Sequence, residues 1–159
     1  MDDLPVEVQL KEAVRAVEAC IAGDIDALSG RAQQEAVVAL QRLQSLVSAA
    51  HAKAVSPWDA SAVWADDRSR SGPARLARDA ACAPASARRV VRRARALRSM
   101  PLTRAAFEDG SLSADHVDVL CRANHAPLEA LFARDEAVLV GHARTMHYDD
   151  LVRLVDHWR

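Results

Sequence analysis

Apolar residues recur every three or four positions through most of this chain of 159 residues, and this spacing restricts the fold more than any other feature. Near the N-terminus, this spacing is shown by Val6, Leu10, Val14, Val17 and Ile21. Side chains spaced in this way lie along one face of an α-helix. No segment shows the alternation of apolar and polar residues that marks a half-buried strand. The sequence therefore predicts an all-α protein.

Proline, glycine and serine divide the chain into helices, because they suit the first turn, the position after the last turn and the N-cap, respectively. These signals predict a single-domain bundle of about six to seven helices. A long N-terminal helical hairpin is formed by helices from about Pro5 to Ala22 and from about Arg31 to Ala54, and shorter helices follow. Ser71 and Ser113 are the expected N-caps of two of the shorter helices.

Composition marks three segments along the chain. Residues 1–55 contain the helical hairpin, and residues 72–159 contain the Arg-rich and C-terminal helices. Residues 56–71 hold a proline, two tryptophans and three acidic residues, and we interpret them as a linker or hinge. A chain of this length is the size of one domain, so we expect the hairpin and the C-terminal helices to form one compact body.

The cysteines and the chain ends indicate where the protein resides. Cys20, Cys82 and Cys121 are far apart and form no CxxC pair, which is typical of reduced, buried thiols in a cytosolic protein. No apolar run approaches the ~20 residues of a membrane span. Residues 1–3, Met-Asp-Asp, lack the basic start of a signal peptide. We therefore expect a cytoplasmic protein that has no membrane partner.

Charge is distributed very unevenly along the chain, although the net charge is only −1. Residues 68–104 hold 11 of the 21 basic side chains and a single acidic one, Asp79. The flanking segments 1–67 and 105–159 are both acidic, with 11 acidic against 5 basic and 10 acidic against 5 basic side chains. Such clustering predicts either a polyanionic partner or neutralisation of the basic segment by its flanks.

The basic segment contains a helix with two distinct faces. On a helical wheel of residues 87–98, valine, alanine and leucine lie opposite a broad arc of arginines. Guanidinium groups along a helix suit phosphate contacts. We expect this arc, together with two arginines of the preceding helix, to bind nucleic acid or another polyanion. The candidate nucleic-acid-binding residues are Arg75, Arg78, Arg88, Arg89, Arg92, Arg93 and Arg95.

An alternative function follows from the acidic flanks. Their aspartate and glutamate side chains could neutralise the same arginines, either within one chain or between two copies. The long N-terminal helices would then pair with a second chain through their apolar stripe. On this interpretation the protein is a self-association or protein-interaction module, so DNA and a homodimer both stand as expected partners.

No arrangement of residues predicts catalysis or a cofactor. The sequence has no Gly-rich phosphate loop and no nucleophile elbow. Cys121 and His125 are four residues apart and His142 and His147 are five apart, but neither pair is part of a set of three or four ligands with metal-site spacing. We therefore predict no catalytic residues, no metal site and no cofactor, and whether the chain is an enzyme stays open.

The middle of the chain resembles domain of unknown function 222, a family common in actinobacteria. The resemblance rests on the Arg-rich helix of residues 87–97 and on the break at Met100-Pro-Leu-Thr. It also rests on a turn and helix with the pattern Gly-x-Leu-Ser-x-x-His, which begins at Gly110 and ends at His116. It is most specific from about residue 68 to 120 and covers roughly residues 5–159.

The resemblance implies an accessory role. In this family the domain usually precedes a C-terminal HNH endonuclease domain, whose paired His and Asn residues are absent from this sequence. The resemblance therefore implies a non-catalytic helical domain that positions nucleic acid, or a partner chain, for such a nuclease. The chain ends while a helix is still running, so we expect a truncated piece or a standalone remnant of a longer protein.

Overall fold

The computed structural model describes residues 5–159, and within that range every regular element is helical. The prediction of an all-α fold is confirmed, with one α-helix more than the upper predicted number. Two short 3-10 helices, Val63–Ala65 and Leu97–Ser99, join α-helices. The α-helices are α1 (Val6–Ala22), α2 (Gly30–Ala60), α3 (Gly72–Asp79), α4 (Pro84–Ala96), α5 (Pro101–Glu108), α6 (Ala114–Ala123), α7 (Glu129–Ala143) and α8 (Tyr148–Trp158).

The chain divides into two units, and the boundary falls inside α2, between Leu40 and Gln41. The first unit contains α1 and the first part of α2. None of its described residues, 5–40, is buried. The predicted apolar stripe of α1 is therefore present on a helix but faces solvent, with Leu10 58% and Ile21 78% exposed.

The second unit, Gln41–Arg159, contains the hydrophobic core. Its largest fully buried side chains include Met100, Phe107, Leu120, Phe132 and Leu151, which come from α5 to α8 and from the residue that precedes α5. Helix α3 packs on α4, α5 on α7, and α6 on α8. This core fixes α4, the Arg-rich helix, in place because α4 buries Val91 and Ala94 against it.

The capping signals predicted two helix starts correctly. The Ser71 hydroxyl accepts a hydrogen bond from the Ala74 N–H at the start of α3, and the Ser113 hydroxyl accepts one from the His116 N–H at the start of α6. Each hydroxyl satisfies one of the N–H groups that a helix start leaves without an intrahelical partner. Pro84 and Pro101 begin α4 and α5, as expected for a residue without an N–H.

The end of α2 differs from the prediction. The helix runs to Ala60, past the predicted end near Ala54 and through Pro57, so the segment 56–71 begins inside a helix. The reason is tertiary: Val55 and Asp59 are buried in the second unit, and Asp59 accepts hydrogen bonds from two arginines. Such contacts override local propensity at a proline.

A buried carboxylate caps α5. The backbone N–H of Thr103, in the first turn, donates to Glu136 Oε1 of α7 at 2.8 Å. Both residues are buried, so Glu136 satisfies a donor that water cannot reach. Its negative charge also faces the positive end of the helix dipole.

The cysteines are less buried than the sequence predicted. Cys20 is exposed because α1 buries nothing, and Cys82 and Cys121 are half-buried. Burial raises the pKa of the Cys121 thiol to about 12, and the nearby Asp118 carboxylate adds to the effect. At neutral pH this thiol is therefore protonated and a weak nucleophile.

Candidate nucleic-acid interface

Helix α4 presents three free cations to solvent. Its buried face consists of Ala87, Val91 and Ala94, and the exposed face holds Arg88, Arg89 and Arg92. Within residues 5–159, none of these three arginines has an ion pair or a hydrogen bond from its side chain. We call these three residues the free arginine face. All three were predicted from the sequence to lie on this surface.

A shallow groove runs beside the free arginine face. It has a volume of about 350 Å³ and is lined by Pro73 at the start of α3 and by Arg88, Val91, Arg92 and Arg95 of α4. The close packing of α3 on α4 forms this groove. Three guanidinium groups along one groove provide donors at successive helical turns, which suits a ligand with several anionic groups.

Arg93 does not belong to this surface, although the helical wheel placed it with the exposed arginines. It is 6% exposed, and its Nε and Nη2 each donate to a different oxygen of Asp118 at 2.7 Å. Its guanidinium also lies 5.7 Å from the centre of the Phe107 ring. On the wheel, Arg93 lies about 40° from the buried Leu97, at the border of the apolar face. The prediction that Arg93 is exposed is therefore wrong.

Arg95 is held in place by a buried acid. Its Nε and Nη2 donate to the two oxygens of Asp59 at 2.9 and 2.8 Å, and Arg98 donates to the same carboxylate at 3.0 Å. The Asp59 side chain is 4% exposed, whereas that of Arg95 is 54% exposed. The hydrogen bond from Arg95 is the main reason that the pKa of Asp59 lies below its usual range. Arg95 therefore borders the groove with much of its charge compensated.

The start of α3 approaches this carboxylate closely. A side chain at Gly72 would place its Cβ 3.1 Å from Asp59 Oδ1 and 3.5 Å from the Trp58 ring. The Trp64 indole N–H donates to the backbone carbonyl of Asp59 at 3.4 Å. Glycine at this position therefore lets α3 pack against the end of α2, which positions the Pro73 side of the groove.

Arg75 and Arg78 form a neutralised cluster with two acids. Arg75 Nη1 lies 2.8 Å from Asp67 Oδ2, and Arg78 Nη2 lies 2.8 Å from Asp79 Oδ1. Arg75 also pairs with Asp79, and Arg78 with Asp67. Hydrogen bonds from Ser69 and from the two arginines lower the pKa of Asp67, and those from Arg75 and Arg78 lower the pKa of Asp79, so both acids are charged at neutral pH. Asp67 belongs to the acidic N-terminal flank, whereas Asp79 is the single acid of the basic segment itself.

The sequence analysis did not predict which acidic residues form ion pairs with the arginines. Asp59 is 36 residues from Arg95, and Asp118 is 25 residues from Arg93. No local spacing connects residues at such separations. The only available signal was the total negative charge of the flanks, which predicts that pairing occurs without predicting the partners.

The histidine in the Gly-x-Leu-Ser-x-x-His pattern has a structural role. His116 Nδ1 lies 2.6 Å from Ser113 Oγ, and its Nε2 lies 3.2 Å from the backbone carbonyl oxygen of Met146. These contacts connect the start of α6 with the residues that precede α8. Within residues 5–159, no group of three or more His, Cys, Asp or Glu side chains is placed to hold a metal ion.

Comparison with known proteins identifies one relationship. The family model described as "Domain of unknown function (DUF222)" matches residues 9–159. No curated protein and no solved structure matches the chain. Among the described helices, none has both the length and the apolar character needed to cross a bilayer.

Proposed function

For this chain, which belongs to the family of domain of unknown function 222, we propose that residues 41–159 bind nucleic acid or a similar polyanion without catalysing a reaction. The observation that carries the proposal is the free arginine face: Arg88, Arg89 and Arg92 are exposed and unpaired within the described residues. Phosphate oxygens would take the hydrogen bonds that these guanidinium groups do not make within the protein. Such contacts release counterions and depend little on base sequence.

Five of the other arginines in the basic segment pair with acids, which narrows the predicted site. Outside that site, Arg68, Arg70 and Arg104 are also exposed and have no ion pair within residues 5–159. The acids that contact the segment are occupied: Asp118 by Arg93, Asp59 by Arg95 and Arg98, and two further acids by Arg75 and Arg78. The alternative of internal neutralisation therefore accounts for part of the cluster and leaves the free arginine face without a partner. We accordingly narrow the predicted site to Arg88, Arg89 and Arg92, with Arg95 at its border.

The proposed role within a larger protein follows from the resemblance described above. An HNH endonuclease domain joined to this one would act on nucleic acid that α4 holds. Phosphate contacts position a duplex without reading its sequence, so the free arginine face would supply affinity and leave selectivity to other parts of such a protein.

A salt titration tests the proposal. Fluorescence anisotropy would follow a labelled duplex of ~20 base pairs and the matching single strand between 50 and 300 mM salt. Three phosphate contacts predict that the logarithm of the duplex affinity falls with the logarithm of salt concentration with a slope of about −3. The single strand should give a slope of about −2, because its phosphates condense fewer counterions.

A matched pair of triple variants assigns the affinity to α4. The test variant is R88Q/R89Q/R92Q, and the control variant is R134Q/R144Q/R153Q, which removes the same charge from three exposed arginines of ion pairs outside α3 and α4. We expect the test variant to lose binding and the control variant to keep most of it. Equal losses would show a net-charge effect, and binding that survives in the test variant would contradict the proposal.

The second candidate function is a protein-interaction module in which acidic helices neutralise the basic segment. The engagement of Arg75, Arg78, Arg93 and Arg95 by acids favours it. Static light scattering in low and high salt distinguishes the two functions. An assembly that dissociates in high salt, combined with no affinity for either nucleic acid, would favour the interaction module.

A further inference from the structure

The first unit, described from residue 5 to Leu40, contains many large apolar side chains but buries none of them. A single helix of the length of α1 is marginal in water, and most helical stability in proteins comes from packing of an apolar face. This unit therefore needs a partner surface. Its exposed large apolar residues are Val6, Leu10, Val14, Ile21, Ile25, Leu28, Val37, Val38 and Leu40.

The exposed stripe of α1 has the spacing of a coiled-coil seam. Leu10, Val14, Val17 and Ile21 follow one another at intervals of four, three and four residues. This is the alternation that places residues at the a and d positions of a heptad, facing a second helix. At 100° per residue these four side chains lie within an arc of about 60°. A seam this narrow fits one partner helix.

We propose that this partner is α1 of a second copy of the chain, packed antiparallel to the first. In this arrangement Leu10 faces the partner's Ile21, and Val14 faces the partner's Val17. Symmetry repeats both contacts, so every residue of the seam meets an apolar residue. The interface is then self-complementary, as a two-fold dimer requires.

Charge complementarity favours a second copy and sets the direction. Lys11 and Glu18 lie seven residues apart on the same flank of the seam, and neither has an ion pair within the described residues. In an antiparallel pair, the flank that holds Lys11 and Glu18 lies against the same flank of the partner helix. Each Lys11 therefore lies beside the partner's Glu18. In a parallel pair, the Lys11 flank of one helix would instead face the other flank of the partner helix. That flank holds Ala13 and Cys20 and offers no ion pair.

An inter-chain disulfide tests both the pairing and its direction. The antiparallel pair places residue 13 of one copy beside the exposed Cys20 of the other. Within one helix these two positions are about 10 Å apart, beyond the ~7 Å limit for a disulfide. Under mild oxidation, A13C should therefore give a covalent dimer with a 13–20 bond, identified by peptide mass spectrometry. The control E12C, on the outer face of α1, should give none.

Charge reversal provides a second test. K11E should weaken dimerisation about tenfold, because two symmetric contacts change from attraction to repulsion. The double variant K11E/E18K restores the opposite charges and should recover the affinity. Light scattering at several concentrations measures the mass, which we expect to be twice the 17.3 kDa of one chain.

The outcomes separate this proposal from the proposed function. A mass of one chain at every concentration would overturn the pairing and leave α1 for a different partner or for a segment outside this sequence. A dimer that forms a Cys20–Cys20 bond, or that K11E does not affect, would overturn the antiparallel arrangement. The variant R88Q/R89Q/R92Q should retain the full dimer mass, so failure of nucleic-acid binding would leave this result unchanged.

Discussion

Arg92 and Arg93 are neighbours in sequence, yet their side chains meet opposite environments. Arg92 is exposed and unpaired within the described residues, whereas Arg93 is buried and bound through two hydrogen bonds to Asp118. A rotation of 100° along a helix is enough to move a side chain from solvent to the core. The sequence therefore located the basic helix correctly but could not separate a binding arginine from a structural one.

The buried pair gives a prediction about stability. Asp118→Asn should lower the free energy of unfolding by about 3 kcal/mol, because it leaves the Arg93 guanidinium buried without its counter-charge. Arg134→Gln is the matched control, since it breaks an exposed pair with the adjacent Asp135 and should change stability little. Urea unfolding followed by circular dichroism measures both. Equal stability of the two variants would mean that the buried pair contributes nothing.

Asp59 predicts how stability depends on pH. Its pKa is lowered in the folded state, mainly by the hydrogen bond from Arg95, so the unfolded chain binds its proton more readily. The stabilisation is therefore present above the unfolded pKa and is lost as pH falls through the lower, folded pKa. The difference in unfolding free energy between wild type and D59N should shrink as pH falls below about 4. A difference that stays constant from pH 6 to 2.5 would contradict this account.

At the scale of elements, the sequence predicted starts of helices better than ends. Ser71 and Ser113, the two predicted N-caps, cap helices because their side chains act on the adjacent turn. The end of α2 depends instead on Asp59, which contacts a helix far along the chain. Local signals cannot contain that information, so the predicted end fell before the observed one.

The cap of α5 is an element-scale contact with a measurable effect. Glu136→Ala should destabilise the protein by about 2 kcal/mol, because it leaves the Thr103 N–H buried without an acceptor. Glu136→Gln keeps an acceptor oxygen and should cost less. Thermal unfolding of both variants gives the comparison. An equal loss for Gln and Ala would show that the negative charge at the helix start, and not the hydrogen bond, is what stabilises α5.

For the whole molecule, the sequence established the helical class and the uneven charge, and the match to domain of unknown function 222 over residues 9–159 shows the family that the resemblance suggested. The sequence did not show that the apolar stripe of α1 lies exposed in a unit without a core. Periodicity identifies an apolar face but cannot say what covers it. Likewise, total charge does not reveal which arginines find an acid within the chain.

The salt dependence of duplex binding by the wild type, R88Q/R89Q/R92Q and R134Q/R144Q/R153Q decides whether the free arginine face binds nucleic acid. We expect a slope of about −3 for the wild type and the control, and loss of binding for the variant of the free arginine face. A wild-type protein that binds no nucleic acid at 50 mM salt, or a triple variant of α4 that binds as the wild type does, would contradict the proposal.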